Sequence, residues 1–405
     1  MSTRWITQLP NRLSRITSSG KYISEVDGLR FMAIVPVLIQ HLSERLQRNA
    51  TTAWSIPTDQ DAVVFWASRG TVGVFIFFAI SGFILGLPFA KYYLQGSKKV
   101  GLKAYFWRRI TRLEPPYMFW MTVFFVALLL KGGSSFSELW PHWGASLGYI
   151  HNVVYRDYSA INPVAWSLEI EIQFYILAPL LAWGAFRWPS KWLRRTIIGA
   201  GIVAVLWAQH FFGWVELPWK LTLLWQLQYF LVGFLLAEIY LTEWRHKEAG
   251  TGQLALDGVA ILSLAGMGLT WSADVEKRLL FVVFLLLFLI AGFRGRWFTK
   301  FLRYTWVAAI GGMCYTIYLI HLPLLEAVVP FTAHWGVGSH FGVNLLWQML
   351  LVFPIVLAVS VVGFLWLEKP CMDPLWPQKL RAWLKGNRNQ SSMVKPISQK
   401  EYEHS

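Results

Sequence analysis

Cysteine and acidic residues are scarce in this chain of 405 residues. It contains 2 cysteines, Cys314 and Cys371, and 22 Asp and Glu residues against 37 Lys and Arg residues. Two cysteines exclude a disulfide framework and a cysteine-based metal centre, and we predict no metal site. Charged residues make up 15% of the chain, whereas soluble domains average about 25%. This shortage argues against an ordinary water-soluble domain.

Long apolar runs are abundant instead. Hydrophobic residues account for 55% of the chain and the mean hydropathy is +0.43. Runs of about 18 mostly apolar residues are typical of membrane-spanning helices. The pattern predicts an all-α fold, a polytopic transmembrane helical bundle of about ten spans. Their expected limits are 26–46, 71–90, 114–130, 163–186, 196–211, 219–242, 256–271, 279–293, 304–328 and 344–367.

The basic residues predict how the chain crosses the membrane. They give a net charge of +15 and fall in short clusters between apolar runs, about fourfold more often in one set of alternate segments than in the other. This placement is typical of cytoplasmic flanks and not of a nucleic-acid-binding face. We therefore expect a cytoplasmic N-terminal segment (1–25), a transmembrane domain (26–370) and a basic, partly disordered cytoplasmic tail (371–405). The expected location is the inner (plasma) membrane, with the lipid bilayer and not nucleic acid as partner.

Two ionisable residues interrupt the first predicted span. Arg30 and His41 lie three helical turns apart, on nearly the same face and about 16 Å apart along the axis. Such groups are expensive within a membrane and are therefore candidates for function. A guanidinium can hold phosphate or carboxylate, and an imidazole can accept a proton from a hydroxyl group. On these two residues alone, lipid-headgroup contact for Arg30 and a helix-to-helix hydrogen bond for His41 remain open alternatives.

A basic cluster precedes the third predicted span. Arg108 and Arg112 share a helix face, and Arg109 points elsewhere. Pro115 and Pro116 are expected to mark a helix start, which would place the arginines beside a helix N-terminus suited to phosphates. An ordinary cytoplasmic anchor of the span is the alternative.

Two glutamates lie near the start of the fourth predicted span. Glu169 and Glu171 point to nearly opposite helix faces. By the expected topology both lie in the outer half of the membrane, at the depth of His41, where one carboxylate could orient the imidazole. The alternative is that Trp or Tyr donors satisfy them. Weaker candidates for the acceptor side are Ser81, in a stretch rich in small residues, and Tyr315 and His321 of the ninth span, where plain helix packing is the alternative.

Together these segments resemble the acyltransferase-3 family of integral membrane acyltransferases, which O-acylate bacterial polysaccharides and some smaller molecules. The similar stretches follow in the expected order and are Asp27-Gly28-Leu29-Arg30 through His41, Gly73 to Phe83, Arg108 to Tyr117, Trp166 to Tyr175, Tyr315 to Pro323, and Glu368-Lys369-Pro370. The resemblance implies a cytoplasmic acyl-CoA donor, most often acetyl-CoA, and a hydroxyl acceptor at the outer face.

The resemblance also implies roles for individual residues. Arg30 and His41 match the family's Arg-x10-His pair, Arg108, Arg109 and Arg112 match its cytoplasmic arginine cluster, and Glu171 matches the glutamate of its Trp-Ser-Leu-x-x-Glu motif. One position departs from the pattern, because Phe75 stands where an acidic residue is usual. An acidic partner supplied by Glu169 is one possible replacement.

We predict an O-acyltransferase in which Arg30 and the three arginines bind coenzyme A, while His41, Glu171 and Arg30 form the catalytic set. The acceptor is expected to be a cell-surface or exported carbohydrate. A transporter or flippase of a lipid-linked sugar, with His41, Glu171 and His321 as a relay, is the alternative. The absence of inverted repeats and interrupted helices in the sequence counts against it. A third possibility is an inactive relative that binds an assembly partner.

Overall fold

The computed structural model describes residues 10, 12–15, 22–49, 61–244, 253–373 and 375–384. Within these residues the chain is helical and has no β-strand, so the predicted all-α fold is confirmed. The predicted tail lies outside the described residues, except for 371–373 and 375–384.

The helices are numbered here in chain order within the described residues. They are α1 (Ser24–Asn49), α2 (Ala62–Ala67), α3 (Val72–Gln95), α4 (Leu102–Lys131), α5 (Phe136–Leu147), α6 (His151–Tyr155), α7 (Trp166–Phe186), α8 (Lys191–Phe211), α9 (Leu223–Glu243), α10 (Leu254–Thr270), α11 (Val275–Arg294), α12 (Trp297–Leu302), α13 (Thr305–Gly312), α14 (Cys314–Thr332), α15 (Phe341–Gly363), α16 (Lys369–Cys371) and α17 (Trp376–Leu384). Short 3₁₀ turns at Pro163–Ala165 and Trp219–Leu221 precede α7 and α9, and a π-helical turn at Phe364–Glu368 follows α15.

Seven helical segments of the described chain are long and apolar enough to cross a membrane. They are Ser24–Asn49, Ala62–Gln95, Leu102–Lys131, Pro163–Phe186, Leu223–Glu243, Cys314–Thr332 and Phe341–Cys371. The other three predicted spans coincide with α8, α10 and α11. Of these, α10 has only 17 residues, and α8 and α11 each carry three charged residues in their first turns. The count of ten and the side on which the termini lie are therefore not confirmed.

The ninth predicted span, 304–328, is not one continuous helix. The chain breaks at Met313, which separates α13 from α14. Gly311 packs so closely on α1 that a Cβ atom there would overlap the backbone carbonyl of Asp27. Two adjacent glycines weaken the helix at this point, and the prediction of an uninterrupted helix was wrong.

Helix α3 lies at the centre of the bundle, where it packs against α1, α7 and α9. Glycine permits these approaches, because a Cβ at Gly73 would overlap the carbonyl of Ala33 and one at Gly82 the carbonyl of Phe230. Large residues at these points would force the helices apart.

The contacts of α1 show in which direction the helices beside it run. Three contacts progress in the same direction along α1 and the α13–α14 segment: Asp27 with Gly311, His41 with His321, and Arg45 with Glu326. Contacts between α1 and α3 progress in opposite directions, with Gln40 against Thr71 and Ala33 against Gly73. Helix α1 therefore runs parallel to α14 and antiparallel to α3.

The close approach at Gly82 predicts a measurable loss of stability. Gly82→Ala places a methyl group against the Phe230 carbonyl, and overpacking of this kind destabilises by about 1–3 kcal/mol. We expect a lower thermal unfolding temperature in detergent. The matched control is Gly184→Ala in α7, where nothing lies within 4 Å of the added Cβ. That variant should be neutral or slightly more stable, and equal behaviour of the two would contradict the packing described.

Candidate functional site

His41 is held by a glutamate one turn further along its own helix. The imidazole Nδ1 lies 3.0 Å from Glu44 Oε2, and Gln40 donates to the other carboxylate oxygen at 2.8 Å. Gln40 in turn accepts a hydrogen bond from the hydroxyl of Thr71 at the start of α3, at 3.0 Å. Sequence analysis missed Glu44, although its i, i+3 spacing from His41 is a signal that could have found it.

His321 of α14 lies beside His41. The two ring centroids are 5.3 Å apart and the planes are inclined by 36°. His321 Nδ1 lies 2.6 Å from the backbone carbonyl oxygen of Tyr318. Because a carbonyl only accepts, this contact assigns the proton to Nδ1 and leaves a lone pair on Nε2. That Nε2 atom is buried and has no hydrogen-bond partner among the described residues, so it is free to accept a hydrogen bond.

A loop between α6 and α7 lies next to these histidines. Asn162 ties the loop to α14 by donating to the carbonyl of Leu319 at 2.8 Å. Tyr158, which is partly exposed in this loop, lies within electrostatic range of Glu44. Burial raises the pKa of the Tyr158 phenol, and the carboxylates of Asp157 and Glu44 raise it further. The phenol is therefore neutral at physiological pH and can donate or accept a hydrogen bond near His41.

The same loop is supported by a pair of histidines. His142 Nδ1 and His151 Nε2 are 2.8 Å apart, and His151 Nδ1 lies 3.2 Å from the carbonyl of Asp157. Burial lowers the pKa of His151, and the neighbouring His142 lowers it further. A neutral His151 therefore fixes the backbone next to Tyr158.

Glu171 does not meet His41. Its carboxylate accepts hydrogen bonds from Ser81 at 2.5 Å and from Tyr175 at 2.6 Å. The face of Tyr175 lies 5.1 Å from the guanidinium carbon of Arg109. The prediction that Glu171 lies at the depth of His41 therefore does not hold, since the structure places this glutamate beside the arginine cluster.

Tyr315 lies in the same group as Glu171. Its hydroxyl donates to the carbonyl of Leu113 at 3.0 Å, and both side chains line a cavity of about 10 Å³ together with Tyr149 and Tyr175. By this measure the cavity can hold one water molecule. Ser81 and Tyr315, both expected on the acceptor side, thus accompany Glu171, whereas His321 accompanies His41.

Glu169 is separate from both groups. It is fully buried, and its Oε2 accepts a hydrogen bond from the backbone N–H of Asn152 in α6 at 2.8 Å. Its Oε1 is buried and has no hydrogen-bond partner within the described part of the chain. Glu169 does not replace the acidic residue missing at position 75, where the ring of Phe75 stacks on Tyr229 of α9 with centroids 4.4 Å apart.

The arginine cluster lies in the first half of α4. Arg108 is exposed, while Arg109 covers the ring of Tyr105 at 4.4 Å. The Nε atoms of Arg109 and Arg112 are buried and have no hydrogen-bond partner among the described residues. These two N–H groups are open to an acceptor that the described residues do not supply.

The two prolines after this cluster do not begin a helix. Helix α4 begins at Leu102 and continues through Pro115 and Pro116, so the prediction of a helix N-terminus for phosphates was wrong. Proline lacks the N–H that would bond the carbonyl four residues earlier. Thr111, four residues before Pro115, instead accepts a hydrogen bond from the indole of Trp376 at 2.7 Å. The helix survives because another donor satisfies the freed carbonyl.

Arg30 is paired within its own helix. It donates to Asp27 Oδ1 at 2.5 Å, and Arg15 donates to the same oxygen at 3.2 Å. Arg30 and His41 are about 16 Å apart along α1 and do not act on one atom together. Within the described residues no group of three or more His, Cys, Asp or Glu side chains could hold a metal ion.

Comparison with known proteins identifies related sequences over most of the chain. The family model of an acyltransferase domain, acyltransferase-3, matches residues 23–368. Over 336 residues the chain is 26% identical to the O-acetyltransferase OatA of Staphylococcus aureus (strain NCTC 8325 / PS 47), an alignment that covers 76% of this chain and 52% of the relative. It is also 27% identical over 201 residues to the peptidoglycan O-acetyltransferase OatA of Listeria monocytogenes serovar 1/2a, covering 47% of this chain and 29% of that protein.

The chain thus spans about half the length, or less, of these relatives. No solved structure matches it significantly.

The hydrogen bonds that Glu171 accepts predict that substitutions of Ser81 and Tyr175 lower the stability of the protein. Tyr175→Phe removes one hydrogen bond to a carboxylate but keeps the ring under Arg109, and Ser81→Ala removes the other bond. Each should lower the free energy of unfolding by roughly 1.5–3 kcal/mol. Because both hydroxyls serve one carboxylate, a double-mutant cycle read by thermal unfolding should be non-additive. Tyr240→Phe in α9 is the control, and additive effects would argue against a shared acceptor.

Proposed function

The chain belongs to the acyltransferase-3 family and is a multi-pass membrane protein, and from this premise we propose that it is an O-acyltransferase. It would move an acyl group, most simply acetyl, from cytoplasmic acyl-CoA to a hydroxyl group of a cell-surface or exported carbohydrate. We place it in the inner (plasma) membrane with both termini in the cytoplasm. The observation that carries the proposal is the His41–His321 pair, which sets two imidazoles side by side in an apolar bundle.

The donor site in this proposal is the arginine cluster. The unpartnered Nε atoms of Arg109 and Arg112 suit the phosphates of coenzyme A, since guanidinium groups bind phosphate through paired hydrogen bonds. Exposed Arg108, which lies on the same helix face as Arg112, adds positive charge to the cluster. Arg30 is a weaker donor-site candidate, because Asp27 already engages its guanidinium.

The chemical step assigned to His41 is proton removal. The acceptor hydroxyl gives its proton to His41 Nε2, the hydroxyl oxygen bonds to the carbonyl carbon of the thioester, and the carbon–sulfur bond breaks to release the coenzyme A thiolate. A general base of this kind contributes about 10²–10⁴ to the rate. An acyl group resting first on His41 is the alternative route. Glu171, formerly expected to orient His41, is better placed to position groups beside the arginines.

A transporter or flippase of a lipid-linked sugar is the competing function. The interruption at Met313 removes one argument against it, because broken helices are common in transporters. The family match and the unpartnered arginine groups favour the transferase. Coenzyme A should raise the unfolding temperature of the purified protein if it binds, and the transporter gives no reason for such a shift.

His41→Ala tests the catalytic assignment. With radiolabelled acetyl-CoA and membranes containing the acceptor, we expect transfer to fall at least 100-fold, the lower end of the contribution of a general base. His210→Ala in α8 is the control. The ring of His210 is exposed and contacts Trp207 of the same helix, and α8 carries none of the site residues named above. Full transfer by His41→Ala would exclude His41 as the base.

Arg109→Ala and Arg112→Ala test the donor site. Loss of a charged hydrogen bond corresponds to roughly a tenfold or greater rise in the KM for acetyl-CoA, with little change in transfer at saturating donor. Arg187→Ala is the matched control. Arg187 directly follows the C-terminal end of α7, where it covers the rings of Trp183 and Trp188. An unchanged KM in both cluster variants would remove these arginines from the donor site.

A further inference from the structure

Helix α1 supplies a carboxylate to His41 from one turn away. Glu44 Oε2 lies 3.0 Å from His41 Nδ1, and Glu44 Oε1 accepts from Gln40 at 2.8 Å. Arg45 Nη1 lies 3.4 Å from the Oε2 atom. Both carboxylate oxygens are thus held in place. The side chain of Glu44 is 35% exposed and that of His41 is 21% exposed, so the pair is accessible from the surface of the bundle and does not lie in its sealed core.

The other acidic groups near the site are engaged elsewhere. Glu171 serves Ser81 and Tyr175, and Glu169 serves the backbone of Asn152. Position 75 carries a phenylalanine that faces α9. Among the described residues, Glu44 is therefore the carboxylate that is hydrogen-bonded to His41.

We propose that Glu44 is a positioning residue that holds His41 in its reactive form, an inference that rests on the proposed function. A carboxylate that accepts the Nδ1–H bond fixes the tautomer, so the lone pair lies on Nε2. It also stabilises the imidazolium formed when Nε2 takes the proton of the acceptor hydroxyl, as the acid of a catalytic triad does. The proton moves from oxygen to Nε2 and Glu44 itself stays ionised.

The partial exposure of Glu44 limits the size of its effect. Removing the buried acid of a serine-protease triad lowers kcat about 10⁴-fold, but solvent screens an exposed carboxylate and Arg45 shares its charge. We therefore expect a decrease in kcat of about 10- to 100-fold for Glu44→Gln. This substitution keeps the size of the side chain and one oxygen able to accept from Nδ1–H, while it removes the charge and replaces the oxygen that accepts from Gln40 with an amide NH2 group.

The kinetic test compares Glu44→Gln with Glu216→Gln. Glu216 is an exposed carboxylate in the loop that follows α8, and it pairs with Lys220 at 3.0 Å. In membranes with labelled acetyl-CoA, Glu44→Gln should lower kcat and leave the KM for acetyl-CoA within about twofold, whereas Glu216→Gln should change neither. Glu44→Asp should recover part of the lost rate. Wild-type kcat in Glu44→Gln, or equal losses in the two Gln variants, would overturn the proposal.

A second test does not depend on acyl transfer. Diethyl pyrocarbonate acylates the free nitrogen of imidazole, and mass spectrometry of the peptide containing His41 measures the rate without any substrate. Loss of the carboxylate should slow modification of His41 several-fold in Glu44→Gln and leave the exposed His210 unchanged. Equal rates at His41 would overturn the positioning role. If wild type transfers no acyl group but this difference remains, the proposed function fails and the contact of Glu44 with His41 stands.

Discussion

A charge buried among apolar helices needs an opposite charge or several hydrogen bonds, and this constraint fixes the position of α1. At its N-terminal end Glu25 pairs with Arg303 after α12, at 2.5 Å. Near its C-terminal end the buried Arg45 pairs with Glu326 of α14, at 2.5 Å. In each pair the side chain on α1 is largely buried and its partner, Arg303 or Glu326, is about half exposed. Removing the partner would be costly, because the charge on α1 would stay buried. Helix α1 is therefore clamped at both ends, and His41 lies between the clamps in a fixed register with His321.

The register has a second consequence, which is the separation of polar groups into two levels. The first holds His41, Glu44 and His321, and the second holds Glu171, Ser81, Tyr175 and the arginines of α4. Between them lie Ser167 and Tyr318, whose hydroxyl groups are 2.7 Å apart. Ser167 is one helical turn from Glu171, and Tyr318 is one turn from His321. The first level thus includes a residue of α14 and the second includes residues of α7, and the hydrogen bond between Ser167 and Tyr318 joins these two helices between the levels.

The apolar runs of the sequence are sufficient to predict the helical bundle and to locate most of its long helices. An apolar run within a membrane forms a helix because this conformation satisfies the backbone hydrogen bonds inside the segment. The apolar runs do not predict which groups meet, since that depends on helix direction and rotation. The expected topology puts Glu171 and His41 at the same depth in the membrane. The rotation of α7 instead directs the Glu171 side chain toward Ser81. Pro115 and its neighbours predict a helix start, because proline leaves the carbonyl four residues earlier without its usual donor. The local sequence cannot show that Trp376, which is distant in the chain, donates to this carbonyl of Thr111. The apolar pattern does not mark Glu44, because Glu44 lies near the end of α1, where charged residues of a membrane helix are common.

In the proposed function, a thioester has to reach His41 from the arginines near Glu171. The arginines would hold the nucleotide end of coenzyme A at the level of Glu171, and the pantetheine arm would extend from there toward the histidines. The cavity beside Glu171 has room for about one water molecule, and the side chains of Tyr149, Tyr175 and Tyr315 line it. An arm that passed this way would have to displace these side chains, among them Tyr175, which donates to Glu171. Binding energy from the proposed contacts with the arginines would then have to compensate for the loss of that hydrogen bond.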